Sequence, residues 1–175
     1  MLSEPLQFVV KRDILLKSLN FVQGVVEKKN TLPILSNVLI EIKNKKLQIV
    51  ATDLDLIFIH QIENVEILEE GNTTTTPSIM FDIVRKFSSD KKLNLSMNSE
   101  NKLQLESEKS IFNLNCINSS EFPLTDENFN DNTFAINSKH FLKLLNKCKF
   151  SISNDETRHY LSGIYFHQTE DEDKI

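Results

Sequence analysis

The stretch FVVKRDILLKSLNFVQGVVEKKNTLPILSNVLI, residues 8–40, decides the fold, because a second version of it begins at Phe134. When the chain is shifted by 126 residues, eight of these 33 positions are identical without a gap. About two identities would be expected from composition alone. The identical pairs are Phe8/Phe134, Leu16/Leu142, Lys17/Lys143, Leu19/Leu145, Asn20/Asn146, Thr31/Thr157, Leu35/Leu161 and Ser36/Ser162. A repeat of this length indicates two copies of a whole domain.

The repeat predicts a first domain over residues 1–126 and the beginning of a second domain over residues 127–175. Residue 175 of the second copy corresponds to residue 49 of the first, so the second copy stops before the counterparts of most strands. A domain that lacks most of its sheet cannot cover its helix, and we therefore expect the second domain to be truncated.

Hydrophobic periodicity predicts the elements within each copy. Helical spacing of apolar residues predicts helices over 13–22, 79–87 and 138–148. Extended or alternating patterns predict strands over 6–10, 38–42, 47–51, 56–62, 93–97, 103–105 and 111–117. Many antiparallel strands with few helices are typical of an α+β fold, here a first domain with two helices and an incomplete second copy.

The composition excludes several classes of protein. The chain carries 25 acidic and 20 basic residues, a formal charge of −5, so it is not basic all over like a histone-like coat of nucleic acid. Hydrophobic residues make up 39%, which is enough for a buried core. With three glycines, the chain has almost no material for a glycine-rich phosphate loop.

Cys116 and Cys148 lack metal-site spacing, which predicts buried thiols.

The sequence shows no recognisable secretion signal or membrane-spanning segment. The N-terminus has no basic segment leading into an apolar one, and no run of about 18 apolar residues follows anywhere in the chain. We expect a cytoplasmic protein without a membrane partner.

Asp53 and Asp55 offer an enzymatic alternative. Two carboxylates one residue apart can share a magnesium ion, as in Mg-dependent phosphohydrolases. Such sites usually need a following hydroxyl, whereas Leu56 follows here, and carboxylates at a strand end beside a turn are the favoured interpretation. No nucleophile and base occur in a catalytic order, so we predict no catalytic residue, no metal site and no cofactor.

Basic residues argue for a binding function. Lys139, Lys143 and Lys147 recur every four residues along the last predicted helix, on a different face from its apolar stripe. The loop Arg158-His159-Tyr160 adds a guanidinium and two stackable rings. A cationic helix face with such a loop suits the phosphate backbone of nucleic acid, read without base sequence, although a solvated helix face has the same pattern.

Five segments, in this order, resemble the bacterial sliding clamp family, the beta subunits of DNA polymerase III. They are Thr31–Asn37 (TLPILSN), Ala51–Asp55 (ATDLD), Glu121–Pro123 (EFP), Phe150-Ser151 and Thr157–Gly163 (TRHYLSG). The resemblance implies domains of the clamp fold, three in each polypeptide. It also implies that two polypeptides form a homodimeric ring around duplex DNA, and that the ring tethers the replicative polymerase without catalysing a reaction itself.

The resemblance also implies roles for individual residues. Lys29, Arg158, His159 and Tyr160 match DNA-contacting positions of the family, with His159 standing where a Tyr is common. Phe112 and Leu114 match apolar residues of the subunit interface. Leu161 matches one wall of the pocket that binds peptides of DNA polymerase III and the clamp loader. Asp53 and Asp55 are structural in this interpretation.

Overall fold

Two antiparallel sheets and two helices make up the first of two units in the computed structural model of the chain. The structure describes residues 5–26, 32–123, 135–155 and 157–167. These residues fall into two units, Met1–Thr125 and Asp126–Ile175, and each is described here by itself.

The first unit contains nine strands and two helices among its described residues. The strands are β1 (Gln7–Lys11), β2 (Val38–Lys43), β3 (Lys46–Thr52), β4 (Ile57–Ile62), β5 (Glu66–Glu69), β6 (Gly71–Thr75), β7 (Lys92–Met97), β8 (Leu103–Ser107) and β9 (Ser110–Leu114). The helices are α1 (Arg12–Val22) and α2 (Pro77–Val84). The predicted α+β class, with antiparallel sheets and two helices in this part of the chain, is confirmed.

The strands form a five-stranded sheet in the order β5-β1-β7-β8-β9 and a four-stranded sheet in the order β4-β3-β2-β6. Each sheet therefore has two outer strands, β5 and β9 in one and β4 and β6 in the other. The hairpin predicted between β2 and β3 is present, and its two turn residues, Asn44 and Lys45, both have positive φ, as a tight two-residue turn requires.

One hydrophobic core joins both sheets to both helices. Leu15, Leu19 and Val22 of α1 are completely buried, as are Met80 and Val84 of α2. Burial of one such side chain stabilises the fold by about 1.5–3 kcal/mol. A smaller cluster lies apart from this core, where the 3₁₀ turn Pro33–Ser36 and Phe122 pack on Leu39 and Val50.

Strands β5 and β6 were not predicted from the sequence. β6 reads GNTTT and carries no apolar side chain, yet Thr73, Thr74 and Thr75 are all buried. The hydroxyls of Thr74 and Thr75 are satisfied by hydrogen bonds, so burial does not require apolar residues at these positions. A hydrophobic pattern could not detect such a strand.

Hydrogen bonds from β6 also explain why the last strand of the sheet is shorter than predicted. The Thr75 hydroxyl donates to the Asn115 carbonyl at 3.1 Å, and the Thr74 hydroxyl donates to the Ile117 carbonyl at 2.7 Å. The chain therefore leaves β8 after Leu114 and lies against β6, although the alternating pattern continues to Ile117.

Arg12 holds the two helices together. Its guanidinium donates to the carbonyl oxygens of Val84 and Arg85 at the C-terminal end of α2, at 3.2 and 2.9 Å, and to the Asp13 carboxylate at 2.8 Å. A cation at this end of a helix satisfies free carbonyls and opposes the helix dipole. The Arg12 side chain is 16% exposed, so its guanidinium interacts mainly with groups of its own unit and little with solvent.

The second unit contains one α-helix among its described residues, α3 (Ser138–Cys148), which has the predicted boundaries. The Asn137 side chain caps it by accepting hydrogen bonds from the backbone of Lys139 and His140. Short 3₁₀ turns follow at Lys149–Ser151 and His159–Leu161. No described helix of either unit is long and apolar enough to cross a membrane.

The two thiols differ from each other. Cys116 is half-buried, and burial raises the pKa of its thiol. Cys148 is exposed at the end of α3, so the prediction of a buried thiol is wrong for this residue.

Thr74 provides a test of the hydrogen bonds between β6 and the segment after β9. Thr74→Val keeps the shape of the side chain but leaves the Asn37 amide and the Ile117 carbonyl without their partner. We expect a loss of about 1–3 kcal/mol in the free energy of unfolding, measured by denaturant titration. Ser120→Ala, at an exposed position, is the matched control and should change it by less than about 0.5 kcal/mol. Equal stability of the two variants would contradict this role.

Candidate nucleic-acid interface

Three exposed ammonium groups form one face of α3, which we call the lysine face (Lys139, Lys143 and Lys147). None of the three forms an ion pair with a described residue. The described residues of the second unit carry five basic side chains and one acidic side chain, whereas the whole unit, Asp126–Ile175, carries six basic and nine acidic residues. The lysine face can therefore attract phosphate without first breaking an internal pair.

The packed side of α3 lies away from the lysine face. Phe141 meets Phe166 edge to face with ring centroids 5.9 Å apart. A groove of about 200 Å³ runs beside them, lined on α3 by Phe141, Leu144, Leu145 and Cys148. The lysines occupy the other side of the helix, as the sequence pattern predicts.

The Arg158 loop, residues 157–161, is tied to the chain before it. The Ser153 amide donates to the Leu161 carbonyl at 2.9 Å, and the Leu161 amide donates to the Arg158 carbonyl at 2.8 Å. Within this turn the Tyr160 ring is 81% exposed, which leaves both of its sides open to a ligand. The side chain of His159 lies outside the described part of the structure.

Asp155 limits what Arg158 can do. The Arg158 guanidinium lies 3.4 Å from the Asp155 carboxylate, and both side chains are exposed. Hydrogen bonds from the side chain and backbone of Thr157 lower the pKa of Asp155 below its ordinary value, so this carboxylate stays charged at neutral pH. A phosphate must compete with it for Arg158.

The first unit contributes less of the predicted surface. Lys29 lies outside the described residues. Lys17 is exposed on α1, whereas Arg12, another basic residue near this helix, is engaged with the end of α2. Lys17 and Arg12 look equivalent in the sequence, but Lys17 is available at the surface and Arg12 is not.

Phe112 and Leu114, the two predicted interface residues, have different surroundings. Phe112 is 38% exposed on the outer strand β9, with its ring edge to face against Phe87 at 6.1 Å. Leu114 is 5% exposed and belongs to the core of the first unit. The role of both residues in a subunit interface stays a prediction, with Phe112 the more accessible of the two.

A cleft beside Phe112 was not foreseen from the sequence. It has a volume of about 500 Å³ and lies between the end of α2 and β9. Ile79 and Phe87 form part of its apolar wall, and Lys86 and Lys91 add charge. These residues are distant from β9 in the chain, so only the folded structure reveals the cleft.

Leu161, the predicted pocket residue, is 43% exposed in the Arg158 loop. Its backbone is fixed by the two hydrogen bonds of that turn, while its side chain remains accessible. One apolar wall on a fixed turn is compatible with peptide binding but does not form a pocket by itself.

Asp53 and Asp55 belong to a hydrogen-bonded turn. The Asp53 carboxylate accepts hydrogen bonds from the backbone of Asp55 and Leu56, at 3.0 and 2.7 Å, and so closes the turn before β4. Between them Leu54 has a φ of 82°, a left-handed conformation that this turn stabilises. No group of three potential metal ligands occurs among the described residues. The phosphohydrolase alternative is therefore not supported.

The turn can be tested against the metal alternative. Asp53→Ala removes the acceptor of two backbone hydrogen bonds, and we expect it to lower the free energy of unfolding by about 1 kcal/mol. Asp53→Asn keeps an acceptor oxygen and should lower it less. Millimolar Mg²⁺ should leave the melting temperature of the wild type unchanged. A rise with Mg²⁺ that Asp53→Asn abolishes would instead favour a metal site.

Comparison with known proteins gives consistent results. Residues 6–126 match the family described as the DNA polymerase III beta subunit, N-terminal domain. The beta sliding clamp of Caulobacter vibrioides is 34% identical over 163 residues, which are 93% of this chain and 44% of the relative. The beta sliding clamp of Escherichia coli is 30% identical over 168 residues, 96% of this chain and 45% of the relative.

Solved structures agree with the sequence matches. A crystal structure of the C. crescentus beta sliding clamp superposes with a TM-score of 0.88 at 34% identity, covering 95% of this chain and 44% of the other. A sliding clamp from Bartonella birtlesii bound to griselimycin gives a TM-score of 0.83 at 38% identity, covering 97% and 45%. The chain thus spans less than half the length of these relatives.

Proposed function

The chain belongs to the DNA polymerase III beta subunit family, and on this premise we propose that it acts as part of a sliding clamp that encircles duplex DNA and tethers the replicative polymerase. We assign residues 1–126 to a first clamp domain and residues 127–175 to the beginning of a second. The end of the family match at residue 126 supports this division. The protein is a processivity factor in this proposal and needs no catalytic site or cofactor.

The lysine face of α3 is the observation that carries the proposal. Lys139, Lys143 and Lys147 are exposed, unpaired with any described residue, and lie on a capped helix whose own charged side chains are all basic. Such a face attracts the phosphate backbone of DNA whatever the base sequence is. A protein that slides along DNA requires contacts of this kind. We assign the same role to Arg158 and Tyr160, which are exposed in the same unit, and to Lys29 and His159.

Weak contacts suit a ring better than strong ones. A ring closed by protein interfaces cannot leave DNA sideways, so its residence does not depend on tight binding to phosphate. Screened lysine–phosphate contacts then allow movement along the duplex. Because the chain is acidic in total, the parts of its surface outside the basic helix faces are repelled by DNA.

The outer strand β9 supports a subunit interface in a homodimeric ring. Its free edge can extend a sheet across a subunit boundary, and Phe112 with the adjoining cleft supplies apolar area for a partner. We propose that this edge meets the other subunit through Phe112 and Leu114, with Phe112 supplying most of the exposed apolar area.

Further partners follow from the family. We propose that Leu161 forms part of a pocket for short peptides of DNA polymerase III and the clamp loader. Its accessible side chain on a fixed turn supports this role. A protein with these partners works in the cytoplasm of a bacterium.

The DNA surface can be tested by changing charges in opposite directions. Lys143→Gln with Lys147→Gln should weaken duplex binding and lower the slope of log K against log salt by about 0.9 for each lost phosphate contact. Asp155→Asn releases Arg158 from its ion pair and should strengthen binding. Fluorescence anisotropy of a labelled duplex at increasing salt measures both effects.

Lys43→Gln with Lys46→Gln is the control for the double variant, since both lysines are exposed beside the β2–β3 turn of the other unit and their replacement changes the net charge equally. It should leave the slope unchanged. The same slope for the double variant and the wild type would show that α3 does not face DNA.

The interface can be tested in the protein produced from its complete reading frame. Phe112→Asp places a charge on the apolar part of β9 and should weaken dimerisation at least about tenfold, measured by analytical ultracentrifugation. Leu68→Asp, on the outer strand at the opposite side of the same sheet, is the matched control. If both variants dimerise like the wild type, β9 is not the interface.

A further inference from the structure

A row of aromatic rings with a cation at its outer end lies on the surface of the first unit. Phe21 of α1 meets His60 of β4 edge to face at 5.3 Å, and His60 stacks on Phe58 at 6.2 Å. The Lys17 ammonium lies 6.0 Å from the centre of the Phe21 ring. We call Phe21, His60 and Phe58 the aromatic ladder.

The ladder is fixed from inside and open at its outer end. Phe58 packs against the main core, and His60 is held in register opposite Ile49 of β3. Phe21 is 44% exposed and does not belong to the core, whose α1 contacts are made by other positions of the helix. The Phe21 ring rests against His60, and its other described neighbour is the flexible Lys17 side chain, so a flat ligand can cover the ring without rearranging the core.

The Lys17 ammonium beside the aromatic ladder favours an anionic ligand. Lys17 lies one helical turn before Phe21 and forms no ion pair with a described residue. The carboxylate of Asp13, one turn earlier, is engaged by Arg12 at 2.8 Å and so compensates a different cation. A ligand that offers both a flat ring and a nearby negative charge satisfies both features.

We propose that Lys17 and the aromatic ladder bind single-stranded DNA, with an unpaired base on Phe21 and a phosphate on Lys17. Stacking of bases on aromatic side chains next to basic residues is the usual way of binding single strands without sequence preference. Paired bases within a duplex have both faces covered by their neighbours, so a duplex cannot use Phe21 in this way. The site goes beyond duplex encirclement and does not depend on ring formation.

Binding of a fluorescent oligothymidylate of about 12 nucleotides to the 175-residue chain tests the site directly. Phe21→Ala should weaken binding at least about fivefold, the lower end of the effect of one stacked base. Phe21→Tyr keeps a ring and should bind within about twofold of the wild type. Lys17→Gln should lower the slope of log K against log salt by about 0.7, the value for one single-strand phosphate.

Phe112→Ala is the matched control, because Phe112 is also a partly exposed phenylalanine with an edge-to-face partner, but no lysine lies over its ring among the described contacts. It should bind oligothymidylate like the wild type. Circular dichroism confirms that each variant is folded.

Photocrosslinking identifies the contact independently of affinity. An oligonucleotide that carries 5-iodouracil should crosslink to Phe21, as located by mass spectrometry of the digested protein. Crosslinks confined to other residues, equal affinity of Phe21→Ala and wild type, or equal loss with Phe112→Ala would each overturn the proposal. So would a duplex of the same length that competes as well as the single strand does. These results leave the duplex function untouched, because that function is tested by the lysines of α3.

Discussion

Burial of the apolar stripe of α1 is the constraint on which the structure of the first unit depends. Leu15, Leu19 and Val22 are completely excluded from solvent by strands of both sheets and by α2. Because side chains three and four positions apart share a helix face, this burial fixes which residues of α1 point outward. Lys17 and Phe21 are at the surface for this reason, and Arg12 reaches the end of α2 from the first position of the same helix.

The same stripe recurs in α3, and this recurrence is what allowed the fold to be predicted. A shift of 126 residues places Phe141, Leu145 and Cys148 at the positions of Leu15, Leu19 and Val22, and these residues line the groove of the second unit. Helices and most strands were predictable because their apolar residues recur with the period of each structure. β6 was not, because its buried threonines are stabilised by hydrogen bonds with Asn37 and with the segment after β9, which lie far away in the chain.

The sequence predicted those site residues whose positions depend only on spacing within one element. The lysine face follows from one helix, and the structure places it as its spacing predicts. Phe112 and Leu114 share a face of β9 by alternation, yet Leu114 lies over the core, while Phe112 lies farther along the strand against Phe87. How far a core extends beneath a strand depends on elements that are remote in sequence, so the resemblance that matched both residues to a subunit interface could not predict their different burial.

The partner of each charge decides its function, and that partner is not visible in the sequence. Arg12, Lys17 and Arg158 are equal as formal charges, but Arg12 satisfies carbonyls of α2, Arg158 is shared with Asp155, and Lys17 has no ion pair with a described residue. A phosphate meets a free cation at Lys17, must displace a carboxylate at Arg158, and cannot engage Arg12 without exposing the end of a helix. A chain with a net charge of −5 can therefore present a phosphate-binding surface, because some described cations, such as those of the lysine face, form no ion pair with a described residue while others are used within the fold.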